Sequence, residues 1–170
     1  MNYNEAVSLY QKSPTSETLK EVCRQLCSEL TLREKLKMLS GRQFAQRNCY
    51  DLITKGKKYN HRPCLAGGVK RLGIPEIAFS DGPRGVVMGN STCFPVSMAR
   101  GATFNDDLEY EVGTAIAKEA IAGDANYFAG ICINLLRNPR WGRAQETYGE
   151  DPFLLGKMGA ALTRAVQERS

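Results

Sequence analysis

Residues 127–136 read YFAGICINLL, ten consecutive positions without a charge, and this run constrains the fold more than any other stretch. It lacks the polar/apolar alternation of a half-solvated strand. As a strand it must be covered on both faces, which is the habit of parallel sheets in α/β proteins. A second apolar run, Ile77 to Phe79, is bounded by Pro75 and by Asp81-Gly82-Pro83, and reads as a buried strand ending in a tight turn.

Helical periodicity surrounds both runs. Leu19, Val22, Leu26 and Leu30 predict an amphipathic helix over Glu17–Ser28, with Cys23 and Cys27 filling its apolar face and Pro14 and Ser16 as start signals. Thr31 and Glu34 make a capping box for a second helix that Gly41 ends. Asn105 caps a third, with Asp106 and Asp107 in its first turn, a stripe of Leu108, Val112, Ile116 and Ala120, and a stop at Gly123. Leu154–Glu168 is a fourth, with Leu154, Met158, Ala161, Leu162 and Val166 on one side. About thirty residues after Gly41 read as loops around one short strand or helix, and Pro95 leaves Cys93–Met98 ambiguous. Helices alternating with apolar strands argue for a parallel α/β arrangement, whose ligand sites lie at the carboxyl ends of the strands.

With 170 residues, 42% of them hydrophobic, the chain can bury one ordinary core. The net charge of +5 is mild and lies largely between Arg42 and Arg71, where Arg42, Arg47, Lys55, Lys57, Lys58, Arg62, Lys70 and Arg71 face only Asp51. Without interleaved aromatics this reads as a solvated basic loop, so neither nucleic acid nor membrane is an expected partner. The start, MNYNEAVSLYQKSPTSE, shows no signal peptide, and a cytoplasmic location is expected. The six cysteines are then expected as free thiols, with Cys23, Cys27, Cys93 and Cys132 as small buried hydrophobes. Cys49, His61 and Cys64 lack the paired spacing and the fourth ligand of a zinc site, so no metal is expected.

Asp81 would project from a rigid turn at the end of its strand. It can accept hydrogen bonds from neighbouring hydroxyls, as a sugar offers, or bond its own backbone as a turn residue. In NPRWGRAQETYGEDP, residues 138–152, Arg140 or Arg143 can make bidentate contacts beside the flat face of Trp141. Equally, Glu146, Glu150 and Asp151 can pair the arginines in a surface salt-bridge loop.

The series LTLREKLKML, RLGIPEIAFSDGPRGV, TCFPVSMARGATFNDDLEYEVG and NLLRNPRWGRAQETYGEDPFLLG resembles the N-terminal (β/α)8 barrel domain of family 3 glycoside hydrolases, the β-glucosidase and β-xylosidase group. It covers roughly residues 28–168, in the family's order and spacing. The resemblance implies an α/β fold that is the first part of a (β/α)8 TIM-type barrel, incomplete, with an N-terminal helical segment at 1–28 and a partial barrel domain at 29–170. It implies that Asp81 binds hydroxyls of the non-reducing sugar, that Arg143 helps to hold that sugar, and that Glu146 supports the loop. The partner would be a β-glucoside or β-xyloside, with no cofactor.

Retaining glycosidases need a carboxylate nucleophile and a carboxyl acid/base on opposite sides of the scissile bond. In this family the nucleophile is an aspartate far downstream, after a Lys-His pair, and the acid/base usually comes from a later domain. The chain reaches AVQERS before either, and His61 lies too early to match the Lys-His pair. No catalytic residue is therefore expected here, and the chain is expected to be an inactive fragment. An open sheet edge would invite self-association. Asp81 acting as nucleophile with Glu146 or Glu150 as acid is permitted by residue type but departs from the family's binding roles. The alternatives are a non-catalytic sugar-binding or partner-completing fragment, and a small α/β protein binding phosphate at a helix N-terminus. The lack of a glycine-rich strand-to-helix loop counts against the last.

Overall fold

Among the residues the structure describes, five helices begin where a side chain supplies an acceptor for an orphan amide. The computed structural model describes residues 1–40, 44–56 and 61–169, and only the backbone of 44–48. Helix α1 (Tyr3–Lys12) opens with a capping box between Asn2 and Glu5. Helix α2 (Ser16–Glu29) is capped by Thr15, and α3 (Leu32–Met38) by the expected box of Thr31 and Glu34. The last helix ends with the Leu39 amide bonded to Lys35, so it stops short of Gly41, which lies outside the described residues.

The chain divides into two compact units, one built from Met1–Phe44 and Cys64–Ile77, the other from Ala45–Pro63 and Ala78–Ser170. In the first, Leu30, Val69 and Leu72 form a small core with Met38 and Ile74 packed against it. Strand β1 (Cys64–Val69) and the beginning of β2 (Ile74–Ser80) belong to this unit. Arg71 grips Glu34 through Nε at 3.0 Å and Nη2 at 2.8 Å, and also donates to the Glu29 carbonyl at 2.7 Å. The hydrogen bonding of Arg71 to Glu34, with that of Thr31, pulls the Glu34 carboxyl down to about 2. Cys23 and Cys27 are exposed, contrary to expectation. On α2 only Val22 is buried, and a neighbouring position is turned by about 100° from that line.

In the second unit, α4 (Phe44–Lys55) and α5 (Ser97–Gly101) precede α6 (Asp106–Ala122) and α7 (Pro152–Gln167). Val86, Met88, Ile116, Ala120, Ala125 and Leu162 form the core, with Phe94, Val112, Phe128, Ile131 and Val166 around it. Helices α6 and α7 approach closely at Gly113, where a Cβ would stand 2.7 Å from the Cβ of Ala165. The cap at Asn105 and the stop at Gly123 follow the sequence, while α7 starts two residues earlier than expected, at Pro152 with Asp151 as its cap. The buried stripe of α6, however, runs through Glu109, Gly113, Ile116, Ala117 and Ala120, whereas Leu108 is half exposed.

The stretch expected as loops around one short strand or helix holds both, the twelve-residue α4 and then β1. The periodicity of α4 is illegible because Tyr50, Leu52 and Ile53 are exposed while Asp51 is buried. Asp51 gathers Lys55 at 2.8 Å, His61 at 3.2 Å and Arg62 at 3.3 Å, so this part of the basic segment is an ion-pair cluster rather than a solvated loop. Arg42, Lys57 and Lys58 lie outside the described residues, as does the side chain of Arg47.

The sheet order is β1-β2-β3, with β3 (Tyr127–Phe128) parallel to β2 in the register Phe79 to Tyr127 and Ser80 to Phe128. The strand expected over 127–136 is thus two residues long. Its ladder ends when the Ala129 amide reaches the Ser80 carbonyl at 2.8 Å, because β2 then turns away at Gly82-Pro83. From Ile131 to Leu136 the chain forms neither helix nor strand, and Cys132 is buried as expected. Cys93, by contrast, is exposed, and no strand forms at 93–98. Among the described residues no helix is long and apolar enough to cross a membrane.

Candidate functional site

Asp81 follows the last residue of β2 and is exposed. One carboxylate oxygen accepts the Gly82 amide at 2.9 Å, the self-bonded turn foreseen as the alternative, and the other makes no hydrogen bond among the described residues. The Asp81 carbonyl accepts from Val87 at 3.0 Å and closes the turn. Gly82 has φ +133°, and a Cβ there would stand 1.9 Å from the Gly85 oxygen, so only glycine makes this bend. The loop leaving β3 presses on the same turn, since a Cβ on Gly130 would lie 2.1 Å from the Gly82 oxygen. The carboxyl ends of the paired strands therefore meet backbone to backbone.

The polar loop is built by local turns. Asn138 accepts the Arg140 amide on Oδ1 and the Trp141 amide on its carbonyl, and Thr147 Oγ1 donates to the Asn134 carbonyl at 2.9 Å. Half-buried Trp141 lines a groove of about 370 Å³ with Leu135, Arg137, Asn138 and Arg140. Arg143 is 62% exposed and donates from Nε to Glu146 at 2.9 Å and again from Nη2. The hydrogen bond and charge of Glu146 raise the Arg143 guanidinium above its ordinary value, and the charge of Asp81 adds to the same effect. Arg143 and Glu146 are joined directly, whereas no hydrogen bond or ion pair joins Asp81 to either among the described residues. The salt-bridge alternative is realised for Glu146 only. Asp151 instead caps α7, and Glu150 makes no ion pair among the described residues.

Beneath these loops lies a cluster that sequence reasoning missed. Arg100, Glu109 and Tyr148 are 4%, 0% and 2% exposed. Glu109 accepts from Arg100 Nε at 2.8 Å and from the Tyr148 hydroxyl at 2.6 Å. Arg100 also donates to the carbonyls of Pro95 and Pro83, the latter at 3.1 Å, and Ser97 Oγ donates to Pro83 at 3.3 Å. Burial opposes the charge on Arg100, but the hydrogen bond and charge of Glu109 outweigh it, so its pKa is raised. Burial, then the charge of Glu109, pushes the Tyr148 hydroxyl up. The available signal was Glu109 itself, which stands at helical spacing with Gly113, Ile116 and Ala120.

The chemistry open to this arrangement is recognition of a polyhydroxylated ring. A free carboxylate oxygen accepts from hydroxyls, a guanidinium donates to them, and an indole offers a flat apolar face. Among the described residues no group of three or more His, Cys, Asp or Glu side chains could hold a metal.

Residues 44–170 match the model of the glycosyl hydrolase family 3 N-terminal domain. The chain is 35% identical over 147 residues to "Probable beta-glucosidase I" of Aspergillus clavatus, covering 83% of this chain and 15% of the relative. It is 37% identical over 109 residues to "Beta-glucosidase A" of Butyrivibrio fibrisolvens, covering 61% and 13%. Among solved structures, β-glucosidase 3B of Thermotoga neapolitana in complex with glucose superposes with a TM-score of 0.69 at 28% identity, over 86% of this chain and 21% of the other. The Kluyveromyces marxianus β-glucosidase in complex with glucose gives 0.65 at 31% identity, over 85% and 16%. The chain thus spans about 15% of the length of the curated relatives it matches most extensively.

Proposed function

Because this chain belongs to glycosyl hydrolase family 3, we propose that it supplies the sugar-holding wall of a β-glucosidase-type pocket, used in retaining hydrolysis of terminal β-linked glucose or xylose. The observation that carries this reading is the exposed Asp81 carboxylate at the end of β2, whose second oxygen makes no hydrogen bond among the described residues. Neighbouring pyranose hydroxyls need an acceptor and a donor together. The open oxygen of Asp81 accepts, the N–H groups of Arg143 not engaged by Glu146 donate, and Glu146 keeps the guanidinium in place. Relatives named as β-glucosidases, two of them crystallised with glucose, support the choice of sugar.

In this reading residues 29–170 are the first part of a (β/α)8 barrel and residues 1–28 a helical segment before it. The nucleophile and the acid/base come from outside the chain, so the isolated chain binds sugar without turning it over. The side of β3 away from β2, unpaired among the described residues, is then an edge open to self-association. A cytoplasmic location belongs to the same reading.

The test is glucose titration of the purified chain beside Asp81→Ala, with a chromogenic β-glucoside assayed in parallel. The expected result is weak glucose binding, about 1 mM or weaker, a loss of about tenfold or more in Asp81→Ala, and no hydrolysis. Equal binding by both chains would overturn the sugar-wall assignment. Hydrolysis by the isolated chain would show that it completes an active site.

A further inference from the structure

Two loops carry the proposed sugar contacts, and one buried ion pair reaches both. Pro83 stands two positions after Asp81, and its carbonyl accepts from Arg100 and Ser97. Tyr148 stands two positions after Glu146, the partner of Arg143, and its hydroxyl donates to Glu109. Arg100 and Glu109 close the circuit at 2.8 Å. The guanidinium lies 5.8 Å from the Tyr148 ring centre, and α5 approaches so closely that a Cβ on Gly101 would stand 2.1 Å from the backbone carbonyl oxygen of Tyr148. At 4%, 0% and 2% exposure the three side chains are sealed from any ligand.

Filling this volume with apolar side chains would often be as stable as a buried charge pair. What a pair adds is direction, because the planar fork of arginine fixes the angles of the groups it holds. We propose that Arg100, Glu109 and Tyr148 are positioning residues that set the spacing between Asp81 and Arg143, tying the turn after β2 to the loop bearing Glu146. The use of that spacing rests on the sugar-wall reading, whereas the coupling is a property of the folded chain alone.

Tyr148→Phe keeps the ring and removes the hydroxyl that reaches Glu109. The amides to follow by hydrogen exchange are those of Val87 and Phe94, which close the turn onto the carbonyls of Asp81 and Arg84. No hydrogen bond joins Tyr148 to that turn among the described residues. In Tyr148→Phe both amides are expected to exchange about tenfold faster, and glucose affinity to fall several-fold. A comparison variant, Leu72→Ala, loosens the small core of the first unit, to which neither Val87 nor Phe94 belongs. At the same loss of melting temperature it is expected to leave those two amides alone. Unchanged protection at Val87 and Phe94, or an equal rise in both variants, would overturn the coupling. Should Tyr148→Phe fail to fold, Glu109→Gln, which keeps an acceptor but removes the charge, is expected to give the same exchange pattern. Failure of every chain to bind glucose would sink the sugar-wall reading, while the exchange result would still decide the coupling.

Discussion

The Glu34 carboxylate lies between the guanidinium of Arg71 and the amide and hydroxyl of Thr31. Its folded pKa is about 2 against an ordinary 4.5, so the folded state binds this proton more weakly than the unfolded state. The resulting stability is fully present above the ordinary value and is lost as pH falls through the interval toward about 2. The melting temperature is therefore expected to drop across that interval, and Arg71→Ala to flatten that part of the profile, measured by thermal unfolding at successive pH values. The Thr31 and Glu34 box was legible because both partners stand three positions apart in one segment. Asp81, Arg143 and Glu146 were legible as motif residues. Arg100, Glu109 and Tyr148 were not, because burial of a charge is decided by partners 9 and 39 positions from Glu109. Sequence spacing reports only which side of a helix a residue occupies.

At the level of elements, local chemistry reads well and pairing reads poorly. Capping residues declare helix starts because the amides they satisfy lie within the same turn. The length of β3 depended instead on where β2 turns away, nearly fifty residues earlier in the chain. The extent of helix α4 was not legible because its one fully buried described side chain is Asp51, not an apolar residue. The contrast between local and tertiary stabilisation can be measured on α7. Asp151→Ala, which removes the acceptor for the Leu154 amide, is expected to cost about 1 kcal/mol. Leu162→Ala, at 1% exposure between α6 and α7, is expected to cost about 2–5 kcal/mol. Urea unfolding of the two variants separates these values, and equal costs would mean that the α6 and α7 interface contributes less than its burial indicates.

At the scale of the whole chain, the division into two units alternates along the sequence. Hydrophobic patterning could foresee helices and strands but not this interleaving, because periodicity carries no record of which segments meet. Neither unit is a single contiguous stretch, so a cut between residues 77 and 78 leaves the first unit whole but parts residues 45–63 from the rest of the second. The open side of β3 brings its own expectation. Tyr127 is 58% exposed there, and Tyr127→Lys should weaken concentration-dependent self-association in sedimentation velocity, since a charge on an edge strand disfavours strand addition. A monomer at every concentration before substitution would remove the edge as a source of assembly.

Trp141 is the chain's only tryptophan, and it stands two positions before Arg143. Selectively excited indole emission therefore comes from the loop bearing the proposed sugar contacts, so the molecule carries a built-in optical gauge of that loop. Its intensity and colour would follow sugar entry, a loosened Tyr148, or the arrival of a longer family 3 polypeptide alongside, without any label attached.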